Sequence, residues 1–227
     1  MLIPLLIWDF AYGGVTMIVE INPLHPQPRL VRRVVEALAQ GAVIAYPTDT
    51  VYGIGCDIFS KSGIERIYQL KDRSRKKPFS FVCADLKDIS RYAQVPDHAF
   101  RIMKKYLPGP YTFILEATKE VPRIMMSKRR TVGIRIPDNP ICISVVRELM
   151  HPIISTSANV HGENSICDPK EIHAGMGKVL DIVIDGGILP NVPSTVIDLS
   201  GEIPYVVREG KGPVDWVTDI PQPTQPT

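Results

Sequence analysis

The chain has 227 residues, of which 44% are hydrophobic and 22% charged, and its formal net charge at pH 7 is +2. This composition is typical of a globular protein with a substantial core. The small net charge excludes nucleic-acid binding through overall charge, so any such binding needs local clusters of Lys and Arg.

The chain begins with an apolar stretch that is too short to span a membrane and lacks the preceding basic residues of a signal peptide. We therefore interpret residues 1–16 as an N-terminal extension and expect no membrane association. Regular patterning starts at Met17, which is a second candidate for the start of translation beside Met1. Residues 17–217 are predicted to form one domain, and residues 218–227 a flexible polar tail. No two of the four cysteines have the Cys-x-x-Cys spacing of a zinc or redox site, which indicates a reducing, cytoplasmic setting.

Apolar residues at helical spacing predict six helices. Five span residues 29–40, 62–70, 86–92, 97–106 and 140–150, and a sixth begins at residue 169. Gly41 is placed to terminate the first helix, and Ser62 opens a capping-box pattern at the second. Asp97, Asn139 and Asp168 are predicted N-caps, the last two each followed by proline.

Short runs rich in β-forming residues predict eight strands. They lie at residues 42–46, 79–83, 111–117, 131–136, 153–155, 181–184, 195–199 and 205–208. Because these strands alternate irregularly with the helices, we predict an α/β (α+β) domain in which helices pack on a mixed sheet.

Four polar segments lie beside predicted strands, at 47–55, 71–78, 155–159 and 193–198, and Arg208 follows the last of them. Hydroxyls, glycine-exposed amides and cations can line a small-molecule pocket. The Lys- and Arg-rich run at 71–78 suits a polyphosphate or another anion. Taken singly, each segment has a simpler alternative: a turn, a solvated charge run, a helix cap or, for Arg208, a surface ion pair.

Several motifs in order resemble the YrdC/YciO family, whose best-known members are threonylcarbamoyl-adenylate synthases. These motifs are Pro-Thr-Asp-Thr-Val-Tyr-Gly-Ile-Gly at 47–55, Lys-x-Arg at 71–73 with Pro78, Pro-Gly-Pro-Tyr-Thr at 108–112, Val-Gly-Ile-Arg-Ile-Pro at 132–137, Ser-Ala-Asn at 157–159, Ser-Thr-Val-Ile-Asp at 194–198 and Arg-Glu-Gly at 208–210. The resemblance covers about residues 18–215. It implies a single twisted, mixed-sheet α/β sandwich with a basic concave face.

The resemblance also implies an ATP-dependent nucleotidyltransferase. Such an enzyme makes threonylcarbamoyl-AMP and pyrophosphate from L-threonine, bicarbonate and ATP, with Mg²⁺ accompanying the nucleotide. Its product serves t6A37 modification of tRNA. Downstream t6A transferase proteins are therefore implied partners, and tRNA or double-stranded RNA is a further one.

The family's functional positions are carried over onto matching residues. Lys71 and Arg73 are implied to be catalytic. The threonine-site positions are Thr50, Arg135, Ser155 and Ser194. The ATP-site positions are Arg73, Lys77, Thr131, Ser157, Asn159, Ser165 and Arg208. Arg135 is expected to pair with the threonine carboxylate in a fork. The cations at 71, 73 and 77 are expected to screen repulsion between carbamate and phosphates. No residue is assigned as a metal ligand.

Two alternatives accompany this reading. The segment at 111–137 looks more like the YciO branch, whose members can lack strong synthase activity, and Asp49 stands where many synthases carry Glu. The first alternative is a protein that binds double-stranded RNA or tRNA through basic clusters at 71–77, 101–105 and 128–130, with little synthase activity. The second is an enzyme of the same fold that acts on another carbamoyl adenylate.

Overall fold

The computed structural model describes residues 16–71, 79–122, 125, 129–159 and 165–218. Within these ranges the chain forms ten strands and seven helices. The strands are β1 (Met17–Glu20), β2 (Ile44–Tyr46), β3 (Gly53–Asp57), β4 (Ser80–Val82), β5 (Tyr111–Glu116), β6 (Thr131–Arg135), β7 (Ile153–Ser157), β8 (Ile182–Asp185), β9 (Thr195–Asp198) and β10 (Tyr205–Arg208). The helices are α1 (Pro28–Ala39), α2 (Lys61–Leu70), α3 (Leu86–Tyr92), α4 (Asp97–Tyr106), α5 (Pro140–Leu149), α6 (Pro169–Met176) and α7 (Asp215–Thr218).

The ten strands form one mixed sheet in the order β1-β8-β2-β3-β7-β4-β6-β5-β9-β10. Strands pair in parallel at β1–β8, β2–β8, β4–β6 and β5–β9, and antiparallel at the other contacts. The predicted α/β class with a mixed sheet is therefore confirmed. Among the described helices, none is long and apolar enough to cross a membrane.

The two faces of the central sheet have opposite chemistry. Paired residues on neighbouring strands point to the same face. One row across the sheet is apolar and consists of Cys56, Ile154, Phe81, Ile134, Phe113 and Ile197. The adjacent row points to the other face and consists of Gly55, Ser155, Ser80, Gly133, Ile114 and Asp198. The first row belongs to the main core, which is completed by side chains from α2, α3, α4, α6 and α7.

Helices α1 and α5 cover only part of the second face. Their apolar residues, including Val34, Leu38 and Val145, form a second core with Ile44, Val82 and Ile182 of the sheet. The small residues of β3, β7, β4 and β6 lie beside this core and are not covered by it. They form a polar region on this face of the sheet.

Several predicted helix ends are confirmed. The side chain of Asn139 accepts a hydrogen bond from Cys142 N at the start of α5, and Asp168 accepts one from Lys170 N at the start of α6. Gly41 follows α1 with a φ of 91°, a left-handed conformation that favours glycine.

Two predicted caps are wrong. Helix α2 is capped by Ser60 and not by Ser62, because Ser60 Oγ accepts from Gly63 N at 3.0 Å. Helix α4 has Pro96 at its N-cap with no side-chain cap, and Asp97 lies in the first turn, where its charge still favours the helix dipole.

The Ser60 cap gives a test of this correction. We expect Ser60→Ala to lower the free energy of unfolding by about 1 kcal/mol, because one amide of the first turn loses its acceptor. Ser62→Ala is the matched control and should change stability little, since Ser62 is exposed and makes no cap. Equal losses for both variants in thermal melts would contradict the assignment of the cap to Ser60.

Candidate active site

A cavity of about 730 Å³ opens on the polar region of the sheet. It is lined by residues on and beside the strands that run from β3 to β10 in the order of the sheet. The lining residues that were predicted as site residues are Thr131, Arg135, Ser155, Ser157, Asn159, Ser165, Ser194 and Arg208. These residues lie far apart in sequence and are brought together by the strand order. Arg73 and Lys77, with most of the basic run, lie outside the described residues and remain predictions.

The cavity floor lies close to the sheet backbone, because the residues at its centre have small side chains. Ser80 pairs with Ser155 on one side and with Gly133 on the other. A Cβ atom at Gly133 would lie 2.7 Å from Ser80 Oγ and 3.3 Å from Thr112 Cγ2, so a larger residue would displace the floor. A ligand can therefore approach the sheet closely at this point.

Arg135 is the best-anchored cation of the site. Its side chain is about nine-tenths buried, and Nη2 donates to Thr50 Oγ1 at 2.6 Å and to Asp49 Oδ1 at 2.5 Å. Thr48 adds a longer contact at 3.3 Å and also accepts from Thr50 N, which fixes the turn. Within the described residues, Arg135 Nε and Asp49 Oδ2 are buried without a hydrogen-bond partner. The predicted threonine-site residue Thr50 is thus joined to Arg135, but it does not line the cavity itself.

A second cation, Arg208, lies beside Ser194. Arg208 Nη2 donates to Ser194 O at 2.8 Å, and Ser194 Oγ lies 3.0 Å from Thr112 Oγ1. Loss of water around the guanidinium lowers the pKa of Arg208, and the positive charge of Arg135 lowers it further. Two arginines that repel each other across a polar cavity favour an anionic ligand. Among the described residues, Arg208 has no ion-pair partner of the kind that its sequence context suggested.

Lys71 contacts the Ser-Ala-Asn turn. Its buried ammonium donates to Ser157 O and Asn159 O, both at 2.6 Å, and to Asn159 Oδ1. Asn159 Oδ1 also accepts from Ser157 Oγ at 2.9 Å. An ammonium carries three donors, and these three acceptors all belong to the turn. Lys71 therefore holds in place two residues that line the cavity, while its own side chain does not line it.

Some residues of the site were not identified from the sequence. Thr112, Ser80 and Asn191 line the cavity. Tyr46 lies beside it on the same face of the sheet and donates to Ser155 Oγ at 2.6 Å. Thr112 stood in one of the recognised motifs. The other three carried no local signal, because only the strand order reveals that they lie near the site.

Magnesium has no set of protein ligands in the described site. No group of three or more His, Cys, Asp or Glu side chains in the described ranges is arranged to hold a metal. The carboxylate of Asp49, which adjoins the cavity residue Arg135, is paired with that arginine. The described residues therefore do not fit a Mg²⁺ held by protein ligands alone.

Fold and cavity define an α/β domain whose cavity is lined by arginines, hydroxyls and accessible backbone, a combination suited to small anionic molecules. The family model of Sua5, YciO and YrdC proteins, described as "Telomere recombination", matches residues 36–210, and the chain belongs to this family. The resemblance inferred from the seven motifs is therefore confirmed.

Relatives fall into two groups. The uncharacterized protein YciO of Escherichia coli K12 is 45% identical over 196 residues, which are 86% of this chain and 95% of YciO. The crystal structure of E. coli YciO superposes with a TM-score of 0.85 at 43% identity, covering 89% of this chain and 99% of that one. The threonylcarbamoyl-AMP synthase of Coxiella burnetii is 34% identical over 173 residues, which are 74% of this chain and 92% of the synthase.

A ligand-bound structure is also similar. The crystal structure of Pyrococcus abyssi Sua5 complexed with L-threonine has a TM-score of 0.84 at 28% identity, and it matches over 90% of this chain and 60% of Sua5. The higher identity to YciO confirms the predicted likeness to that branch. The chain thus shares its fold with both YciO and Sua5, and it is more similar in sequence to YciO than to the threonylcarbamoyl-AMP synthase of C. burnetii.

Proposed function

We propose that this protein is a threonylcarbamoyl-AMP synthase, which uses ATP to activate L-threonine and bicarbonate for t6A modification of tRNA. The main support is one feature of the site: Arg135 and Arg208 face a single polar cavity together with the hydroxyls of Ser155, Ser157 and Ser194. This arrangement suits two anionic groups, a carboxylate and a polyphosphate, held close to each other.

Different parts of the cavity are proposed to bind the amino acid and the nucleotide. The amino acid is proposed to lie near Arg135 and Ser155, with Ser194 closing its side. The nucleotide then extends toward Ser157 and Arg208. It also meets Thr131, Asn159 and Ser165. Arg73 and Lys77, predicted from the Lys-x-Arg motif, would complete the phosphate site. Similarity to a Sua5 structure with bound L-threonine supports L-threonine as the amino acid.

The reaction has two bond-forming steps. The threonine amine attacks the carbon of bicarbonate, and loss of water leaves a carbamate. A carbamate oxygen then attacks the α-phosphorus of ATP, the bond to the β-phosphate oxygen breaks, and pyrophosphate leaves. Because carbamate and phosphates are all negative, the main task of the site is to hold them together and screen their repulsion. The arginines do this without a covalent intermediate.

The direct test is pyrophosphate release from ATP by the purified protein, with magnesium and bicarbonate, with and without L-threonine. We expect release that depends on threonine and is poorly supported by serine. ATP binding without release would overturn the synthase proposal in favour of a changed substrate. Absence of both release and ATP binding would favour the RNA-binding alternative.

One basic cluster of the RNA-binding alternative lies away from the cavity. Arg101, Lys104 and Lys105 lie on α4, whose buried residues Ala99 and Met103 pack in the core on the opposite face of the sheet from the cavity. This cluster is therefore not part of the proposed synthase site.

A further inference from the structure

Tyr46 reaches the cavity along the same face of the sheet, from the part that α1 and α5 cover. It lies at the end of β2 and is 1% exposed, yet its hydroxyl is 2.6 Å from Ser155 Oγ on β7. Strand β3 lies between β2 and β7. The tyrosine side chain must therefore cross a whole strand to make this contact.

Two glycines of β3 make the crossing possible. A Cβ atom at Gly53 would lie 2.7 Å from Tyr46 Cζ and 2.8 Å from its hydroxyl oxygen, and one at Gly55 would lie 3.0 Å from Cε1. These distances are too short for any side chain, so the ring lies against bare backbone. The glycines of the 47–55 motif thus provide the space in which Tyr46 reaches Ser155.

The direction of this hydrogen bond follows from the surroundings. Burial raises the pKa of Tyr46 well above its ordinary value, so the phenol keeps its proton at neutral pH. In the described structure Ser155 Oγ is the single hydrogen-bond partner of the Tyr46 hydroxyl. The phenol therefore donates and Ser155 accepts. The proton of Ser155 is left for another acceptor, and Ser155 lines the cavity.

We propose that Tyr46 is a positioning residue that makes Ser155 a hydrogen-bond donor to an acceptor oxygen of the ligand. This inference rests on the proposed function, under which that oxygen belongs to the carboxylate of L-threonine. Arg135 lines the same cavity and supplies the complementary charge. Tyr46 touches no ligand atom and acts through Ser155 alone.

The test compares Tyr46→Phe with wild type in the full chain. We expect the KM for L-threonine to rise roughly fivefold, as for loss of one neutral hydrogen bond, while the KM for ATP stays unchanged. Tyr92→Phe is the matched control. Tyr92 is also 1% exposed, but its hydroxyl has no partner in the described chain and it packs in the other core. Its removal should leave both KM values unchanged.

The same change in a Ser155→Ala background separates positioning from general packing. If Tyr46 acts through Ser155, the double variant should bind threonine as Ser155→Ala does. An unchanged KM in Tyr46→Phe, or an equal loss in both backgrounds, would overturn the inference while the proposed function stands. A wild-type protein that neither binds nor uses threonine would overturn both, and calorimetric titration of wild type identifies that case.

Discussion

Arg135→Ala is expected to abolish threonine-dependent pyrophosphate release and also to destabilise the fold. The variant removes the cation proposed to bind the substrate carboxylate, so kcat/KM should fall at least about a hundredfold. It also leaves the Asp49 carboxylate about nine-tenths buried without the ion-pair partner that it has among the described residues. Breaking one side of a buried pair costs about 3 kcal/mol, which for a chain of this size lowers the melting temperature by roughly 6 to 12 °C.

Two further variants separate these effects. Arg135→Lys keeps the charge but loses the planar fork, so it should retain more stability than Arg135→Ala and still lack activity. Arg135→Ala combined with Asp49→Asn removes the stranded charge, and it should recover much of the stability without recovering activity. Thermal melts and initial rates on the same preparations measure both. Normal turnover in Arg135→Ala would refute the carboxylate assignment, and no recovery with Asp49→Asn would refute the electrostatic cause of the instability.

Local chemistry accounts for the parts of the fold that the sequence predicted well. Asn139 and Asp168 act as caps whatever the rest of the chain does, because each bonds an amide two or three residues away. Strand β3 was missed for the opposite reason. Gly53 and Gly55 have low strand propensity, and they are tolerated there because the Tyr46 ring fills the space over them.

The candidate site likewise has a part that the sequence predicted and a part that it did not. Residue types were predictable, because hydroxyls and cations beside strands are typical of an anion site. The hydrogen-bond partners of these side chains were not predictable, since they depend on the order of the strands in the sheet. Lys71 was expected to act on phosphates by its charge, yet it contacts a turn 86 residues further along the chain at Ser157. Lys71 can therefore act either on the phosphates or on this turn, and the next variant distinguishes these two roles.

Lys71→Met is expected to weaken ATP binding at least tenfold and to lower the free energy of unfolding by about 2 kcal/mol. The reason is that Ser157 O and Asn159 O lose the charged donor that they share at 2.6 Å, and a hydrogen bond to a charged group contributes about 1.5 to 3 kcal/mol. Because Ser157 and Asn159 line the cavity, a turn that is no longer held would not present them to the nucleotide. Stability loss and affinity loss should therefore appear together.

Measuring stability and ATP affinity together distinguishes the two roles that Lys71 can have. If its charge acts on the phosphates, as the sequence suggested, Lys71→Met should lower kcat while the melting temperature stays close to that of wild type. If it holds the turn, the melting temperature should fall by roughly 4 to 8 °C, given about 2 kcal/mol in a chain of this length. Lys61→Met is the matched control, because Lys61 is an exposed lysine at the other end of the same helix, α2. A full loss of kcat with unchanged stability and unchanged ATP affinity would return Lys71 to the catalytic role.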